Sequence, residues 1–166
     1  MNGAYLHLAI NHIPVVAMPI CFLVLVTGAL RKSHDLIQAG FAMLVLTALI
    51  TIPVWKTGGP AAHTLFRYPG ATVERSAIHE HAEAAEYGLV GSGILGVIAL
   101  FGLWLSRRPE GAPTLLVGMV ILGSLFVSTI FARVAHLGGE IRHPEIESGA
   151  PPASSTMMMA PGQKAQ

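Results

Sequence analysis

The chain has 166 residues, of which 52% are hydrophobic and 11% charged, with ten Lys and Arg against nine Asp and Glu. A soluble domain carries about 25% charged residues, so water is the wrong solvent for this composition. The net charge of +1 excludes the broad basic surface of a nucleic-acid binder, and a single cysteine excludes an internal disulfide.

Four runs free of charge, 13–30, 36–55, 87–105 and 114–132, are each 18 to 20 residues long. A helix of about 20 residues crosses a hydrocarbon core of about 30 Å, so the sequence predicts an all-α, integral membrane four-helix bundle. Pro14, Pro19 and Pro53 fall in or at the ends of these runs, where neighbouring helices can satisfy the carbonyls that proline leaves free. No basic residue precedes the first run, and Arg31 and Lys32 follow it. It therefore reads as a retained span rather than a cleavable signal peptide. Together with Arg107 and Arg108, these residues put four of the ten basic side chains into two short connections. The positive-inside rule places those connections in the cytoplasm. Both termini and the loop 56–86 are then expected on the periplasmic side of a bacterial inner membrane, with the lipid bilayer as the first partner.

Residues 57–72 include Gly58, Gly59, Pro60, Pro69 and Gly70 and read as turns. Thr72 is the expected N-cap of the third span. Residues 73–86 hold no Gly or Pro, so this helix should begin about four turns beyond the membrane and run to Leu105. The last helix is expected to reach His136 and to stop at Gly138 and Gly139. Residues 1–146 then form the transmembrane domain. Residues 147–166, rich in Pro, Ser and Met, cannot bury a core and form a flexible tail. Met157, Met158 and Met159 within it suggest copper-binding sequences, but a soft thioether site needs convergent geometry as well as ligand type, and three adjacent methionines in such a tail are expected to be bland.

Histidine is distributed unevenly. On this topology His7, His12, His63, His79, His81, His136 and His143 lie at or beyond the periplasmic boundary, and only His34 lies on the other side. Neutral imidazole is a metal ligand and titrates near neutral pH, so such a layer has chemical consequences. At 100° per residue His81, Gly88 and Ser92 share one helix face with Ala84, Ala85 and Gly96 beside them, a groove of small residues. Ser124, Ser128, Ala132 and His136 follow one another at four-residue spacing on the last helix. On the first, His7, Asn11, Pro14, Met18 and Cys21 form a stripe expected to face inward, with His12 about 140° away from His7. His79, Glu83 and Glu86 share a face suited to zinc or to hydrogen-bonded support of a ligand.

Three functions fit this pattern. Two imidazoles from different helices could ligate a b-type haem near the periplasmic face for electron transfer. Alternatively the His and Glu groups, in the set His12, His81, His79, Glu83 and His143, could bind zinc or copper. In the third reading the histidines are interfacial and the protein is an accessory or scaffolding subunit of a larger membrane complex. An electron-transfer or accessory subunit is favoured over a stand-alone enzyme. No Ser–His–Asp set or phosphate-binding glycine loop is present, and the Glu residues are not spread over helices as a di-iron bundle requires. No charged residue sits mid-span to relay ions or protons.

The segments LHLAINHIPV (6–15), IPVWKTGGPA (52–61), HAEAAE (81–86) and LGGEIRHPE (137–145) together resemble an uncharacterised family of bacterial four-span membrane proteins, in the same order from residue 6 to about 146. The matching positions are Asn11, His12, Pro14, Thr57, Gly58, Pro60, His81, Glu83, Glu86, Gly138, Gly139, Arg142, His143 and Glu145. Gly59 departs from the pattern, which often has an acidic residue there. The resemblance implies the four-span fold, and haem binding is the suspicion such families raise. Resemblance and helical geometry coincide at His12 and His81, the first expected axial pair, with His7 and His136 second. Arg142 is expected to fold over the bundle mouth and pair with a haem propionate or with Glu83 or Glu86. The redox partners would be other membrane or periplasmic subunits of a respiratory or redox complex.

Overall fold

A computed structural model describes residues 3–67 and 75–142. It contains five helices: α1 (Gly3–Ile10), α2 (His12–Leu30), α3 (His34–Arg67), α4 (Arg75–Leu105) and α5 (Thr114–Arg142). No strand occurs among the described residues. Pro14 has no N–H to give to the carbonyl of Ile10, which interrupts the helix at Asn11. The Asn11 backbone nevertheless keeps helical angles (φ −63°, ψ −27°), and its N–H bonds the His7 carbonyl at 2.9 Å. α1 and α2 thus form one continuous rod. With α3, α4 and α5 this makes four rods long and apolar enough to cross a membrane.

The rods pack as a ring in chain order, α2 and α4 each touching α3 and α5, while α1 leans on α3. Short connections make successive rods antiparallel. At the connected end Lys32 takes a left-handed backbone (φ 50°), and the Ser33 hydroxyl accepts the Leu36 N–H at 3.4 Å. Gly111 has φ +74° and lies directly against the His34 imidazole, where a side chain would have no room. Gln38 Nε2 donates to the Ser106 carbonyl at 3.0 Å and ties α3 to the far end of α4. The other end, where α1 and α4 start and α3 and α5 finish, is here called the open end.

The core contains Met18, Cys21, Leu25, Phe41, Leu44, Leu95, Ala99 and Val120. Glycine sets the distance between rods. A Cβ at Gly96 would stand 2.6 Å from the Ala48 Cβ, and one at Gly40 would stand 2.6 Å from the Leu25 side chain. Such small residues let helix backbones approach closely. The outward faces carry large apolar side chains, with Leu23 59%, Leu122 69% and Val97 70% exposed.

The expected turns at Gly58, Gly59 and Pro60 are absent, because α3 continues through them to Arg67. Hydroxyls bond the neighbouring turns, Thr57 Oγ1 donating to the carbonyls of Pro53 and Val54 at 2.9 Å and Thr64 Oγ1 to that of Pro60 at 2.9 Å. Contact with α1 supports the same stretch, so tertiary packing overrides the local breakers. Gly138 and Gly139 likewise do not end α5, which runs to Arg142. α4 reaches Leu105 as expected, while Thr72, His143 and the tail 147–166 lie outside the described residues.

Overpacking a close contact costs about 1–3 kcal/mol. Gly96→Val should therefore lower stability by that amount in reversible detergent unfolding. Gly93→Ala and Gly118→Ala fill open space in helix interiors. They should be neutral or stabilising by up to about 1 kcal/mol.

Candidate functional site

Among the described histidines, only His34 lies at the connected end; His7, His12, His63, His79, His81 and His136 all lie toward the open end. They are not equivalent there. His7 and His81 are half-buried, whereas His12, His63, His79 and His136 are exposed.

His7 projects from α1 onto α3, with Nδ1 3.1 Å from the Val54 carbonyl and 3.1 Å from Thr57 Oγ1. His81 projects from α4 onto α5, with Nδ1 3.1 Å from the Val134 carbonyl. A carbonyl oxygen only accepts, so in both rings Nδ1 carries the proton and donates. In the neutral ring Nε2 then keeps its lone pair. Second-partner bonding of this kind fixes the tautomer and orientation of a ligating imidazole.

Glycine shapes the surroundings of both rings. A Cβ at Gly138 would stand 3.2 Å from His81 Cε1, so the ring would have to give by a few tenths of an ångström, and one at Gly58 would stand 3.6 Å from His7 Cε1. Gly58 and Gly138, two of the glycines that read as helix breakers, are thus places where an imidazole lies against a neighbouring helix. One turn inward from His7, Asn11 Oδ1 is buried and accepts no hydrogen bond from the described residues. A buried acceptor without a donor is costly and marks a place for a polar group that the packing does not supply. Below it Pro14, Met18 and Cys21 continue the same face into the core, as their spacing predicts.

The other expected site residues are placed differently. His12 sits on the exposed side of α2, consistent with its 140° offset from His7. His136 is exposed and pairs with Glu140, Nε2 to Oε1 2.9 Å. His79 and Glu83 approach to 3.9 Å on an exposed face of α4. His63 and His79 line a groove between α3 and α4 with Phe66, Arg75 and Ile78. Among the described residues no three His, Cys, Asp or Glu side chains converge to hold a metal ion. His143 and the Arg142 side chain lie outside the described residues.

No known protein-family profile, curated protein or solved structure matches this chain.

The tautomers give a direct check. Nitrogen-15 NMR of histidine-labelled protein should show His7 and His81 as neutral rings protonated at Nδ1. Gly138→Val should abolish that signature at His81 and spare it at His7. A wild-type spectrum with both rings protonated at Nε2 would contradict the two carbonyl bonds.

Proposed function

We propose that the protein is a multi-pass protein of the bacterial inner membrane that carries a b-type haem near the periplasmic face and passes electrons one at a time, as part of a larger redox complex. The two anchored imidazoles, His7 and His81, carry this reading. They come from separate rods, each has Nδ1 tied to a backbone carbonyl, and both lie toward the same end of the bundle.

The residues present fit an axially ligated group on three counts. Both Nε2 lone pairs are available in the fixed tautomer. Gly58 and Gly138 keep side chains away from the rings, and Asn11 Oδ1 is a buried acceptor that the chain leaves without a donor. A haem held by His7 and His81 would supply reversible one-electron transfer. The chain's own part is to hold both rings rigidly, with Val54, Thr57 and Val134 as anchors, and to surround them with apolar helix. Exposed ligands His12 and His136 would give a wetter, looser site, so the pair moves from His12 and His81 to His7 and His81.

Membrane insertion is supported by the four rods and by their apolar outward faces. Arg31, Lys32, Arg107 and Arg108 at the connected end favour a cytoplasmic location for it, with both termini and the site on the periplasmic side. The zinc or copper reading is weakened by the scatter of His12, His79 and Glu83 over exposed faces. The resemblance to an uncharacterised four-span family is compatible with this reading and adds no activity to it.

Membranes containing the expressed protein should give split reduced-minus-oxidised b-type bands with dithionite. His7→Ala and His81→Ala should each abolish the low-spin signal, while His12→Ala and His136→Ala should leave it. Absence of haem from fully expressed wild type would favour the accessory-subunit reading. For topology, Glu110→Cys in a Cys21→Ser background should resist impermeant maleimide in intact cells, and Tyr5→Cys should react.

A further inference from the structure

On the outside of the bundle, between α4 and α5, lies a groove of about 550 Å³ that takes no part in the histidine site. Its lining is divided by height. Glu80 and Glu83 on α4 and Arg133 on α5 stand at the open-end mouth. Because α4 and α5 are antiparallel, the groove then descends over Ala84, Val90 and Gly91 on one wall and Ile130 and Phe126 on the other. Beside the groove Gly91 lets α4 and α5 approach closely, since a Cβ there would stand 3.2 Å from Val127 Cγ2.

The charges at the mouth are of both signs, yet among the described residues Arg133 makes no ion pair with Glu80 or Glu83; Glu83 approaches only His79. A guanidinium and two carboxylates, all exposed and set above an apolar slot, match an amphiphile whose polar end is itself a zwitterion.

We propose that this groove holds one phospholipid with a primary-ammonium headgroup, of the phosphatidylethanolamine class. Arg133 contacts its phosphate, Glu80 and Glu83 receive its ammonium, and an acyl chain lies along Ala84, Val90, Gly91, Phe126 and Ile130. The occupant is a lipid rather than a second copy of the chain because the apolar part of the groove opens on the same outward face as Val97 and Leu122. The inference rests on the membrane reading and is independent of haem.

The test is lipid retention by native mass spectrometry of the full chain, exchanged into mild detergent from nanodiscs containing equal phosphatidylethanolamine and phosphatidylglycerol. Wild type should retain one phosphatidylethanolamine in preference to phosphatidylglycerol. Losing one cation–phosphate contact near the interface changes affinity by about fivefold, so Arg133→Ala should reduce retention of both lipids by about that factor. Glu80→Gln with Glu83→Gln should erase the preference while keeping phosphatidylglycerol bound. All three positions are exposed, and unchanged helical content by circular dichroism confirms that each variant is folded. Equal retention of the two lipids by wild type would overturn the proposal. So would variants that change the dimer fraction instead of lipid retention. Failure of membrane insertion would show separately, as absence of the chain from the membrane fraction.

Discussion

A polar group inside an apolar bundle must find its partner within the bundle, and the rest of this structure follows from that requirement. Thr47, Thr51, Ser92, Ser106 and Ser124 meet it locally, each hydroxyl bonding a carbonyl three or four residues back in its own helix. Such bonds add no information about how helices sit against one another. The imidazoles of His7 and His81 are too long to fold back in this way. Each reaches a carbonyl on the neighbouring rod, and so each fixes a helix pair at the open end.

The same requirement explains where small residues are needed. An imidazole can reach a carbonyl of the next helix only if the backbone there is bare, and Gly58 and Gly138 supply that. Deeper in the bundle Gly40, Gly96 and Gly102 do the equivalent for Leu25, Ala48 and Phe41. Close rods in the middle and propped imidazoles at the end make a rigid frame, which is what a ligand with fixed coordination directions demands. Asn11 is the exception to complete satisfaction among the described residues. It falls on the same helix face as His7, where a bound group is proposed.

Much of the architecture was legible because 18 to 20 uncharged apolar residues leave few alternatives to a spanning helix. The stripe from His7 through Asn11, Pro14, Met18 and Cys21 was legible for a related reason, its spacings following the 3.6-residue turn closely. Ser124, Ser128, Ala132 and His136 failed as a stripe because strict four-residue steps drift about 40° each time. By His136 the row has left the buried face, which instead follows Val117, Val120, Ser124, Val127 and Phe131. Gly58, Gly59, Pro60, Gly138 and Gly139 were misread as stops; at Gly58 and Gly138 the glycine faces a histidine of another helix. No local signal carries that information. The difference in burial between His7 and His12 was readable in the sequence, since His7 shares a face with Pro14, Met18 and Cys21 and His12 does not.

Whether His7 and His81 form the one coordinating pair proposed here is decided by the near-infrared magnetic circular dichroism of the oxidised, haem-loaded protein. Ligation by two imidazoles gives a low-spin charge-transfer band at the position set by nitrogen–nitrogen ligation. The account predicts that band in wild type, its retention in the His12→Ala, His136→Ala double variant, and its conversion to a high-spin spectrum when either His7 or His81 is replaced by Ala. A bis-imidazole band that survives in the His7→Ala, His81→Ala double variant would contradict it.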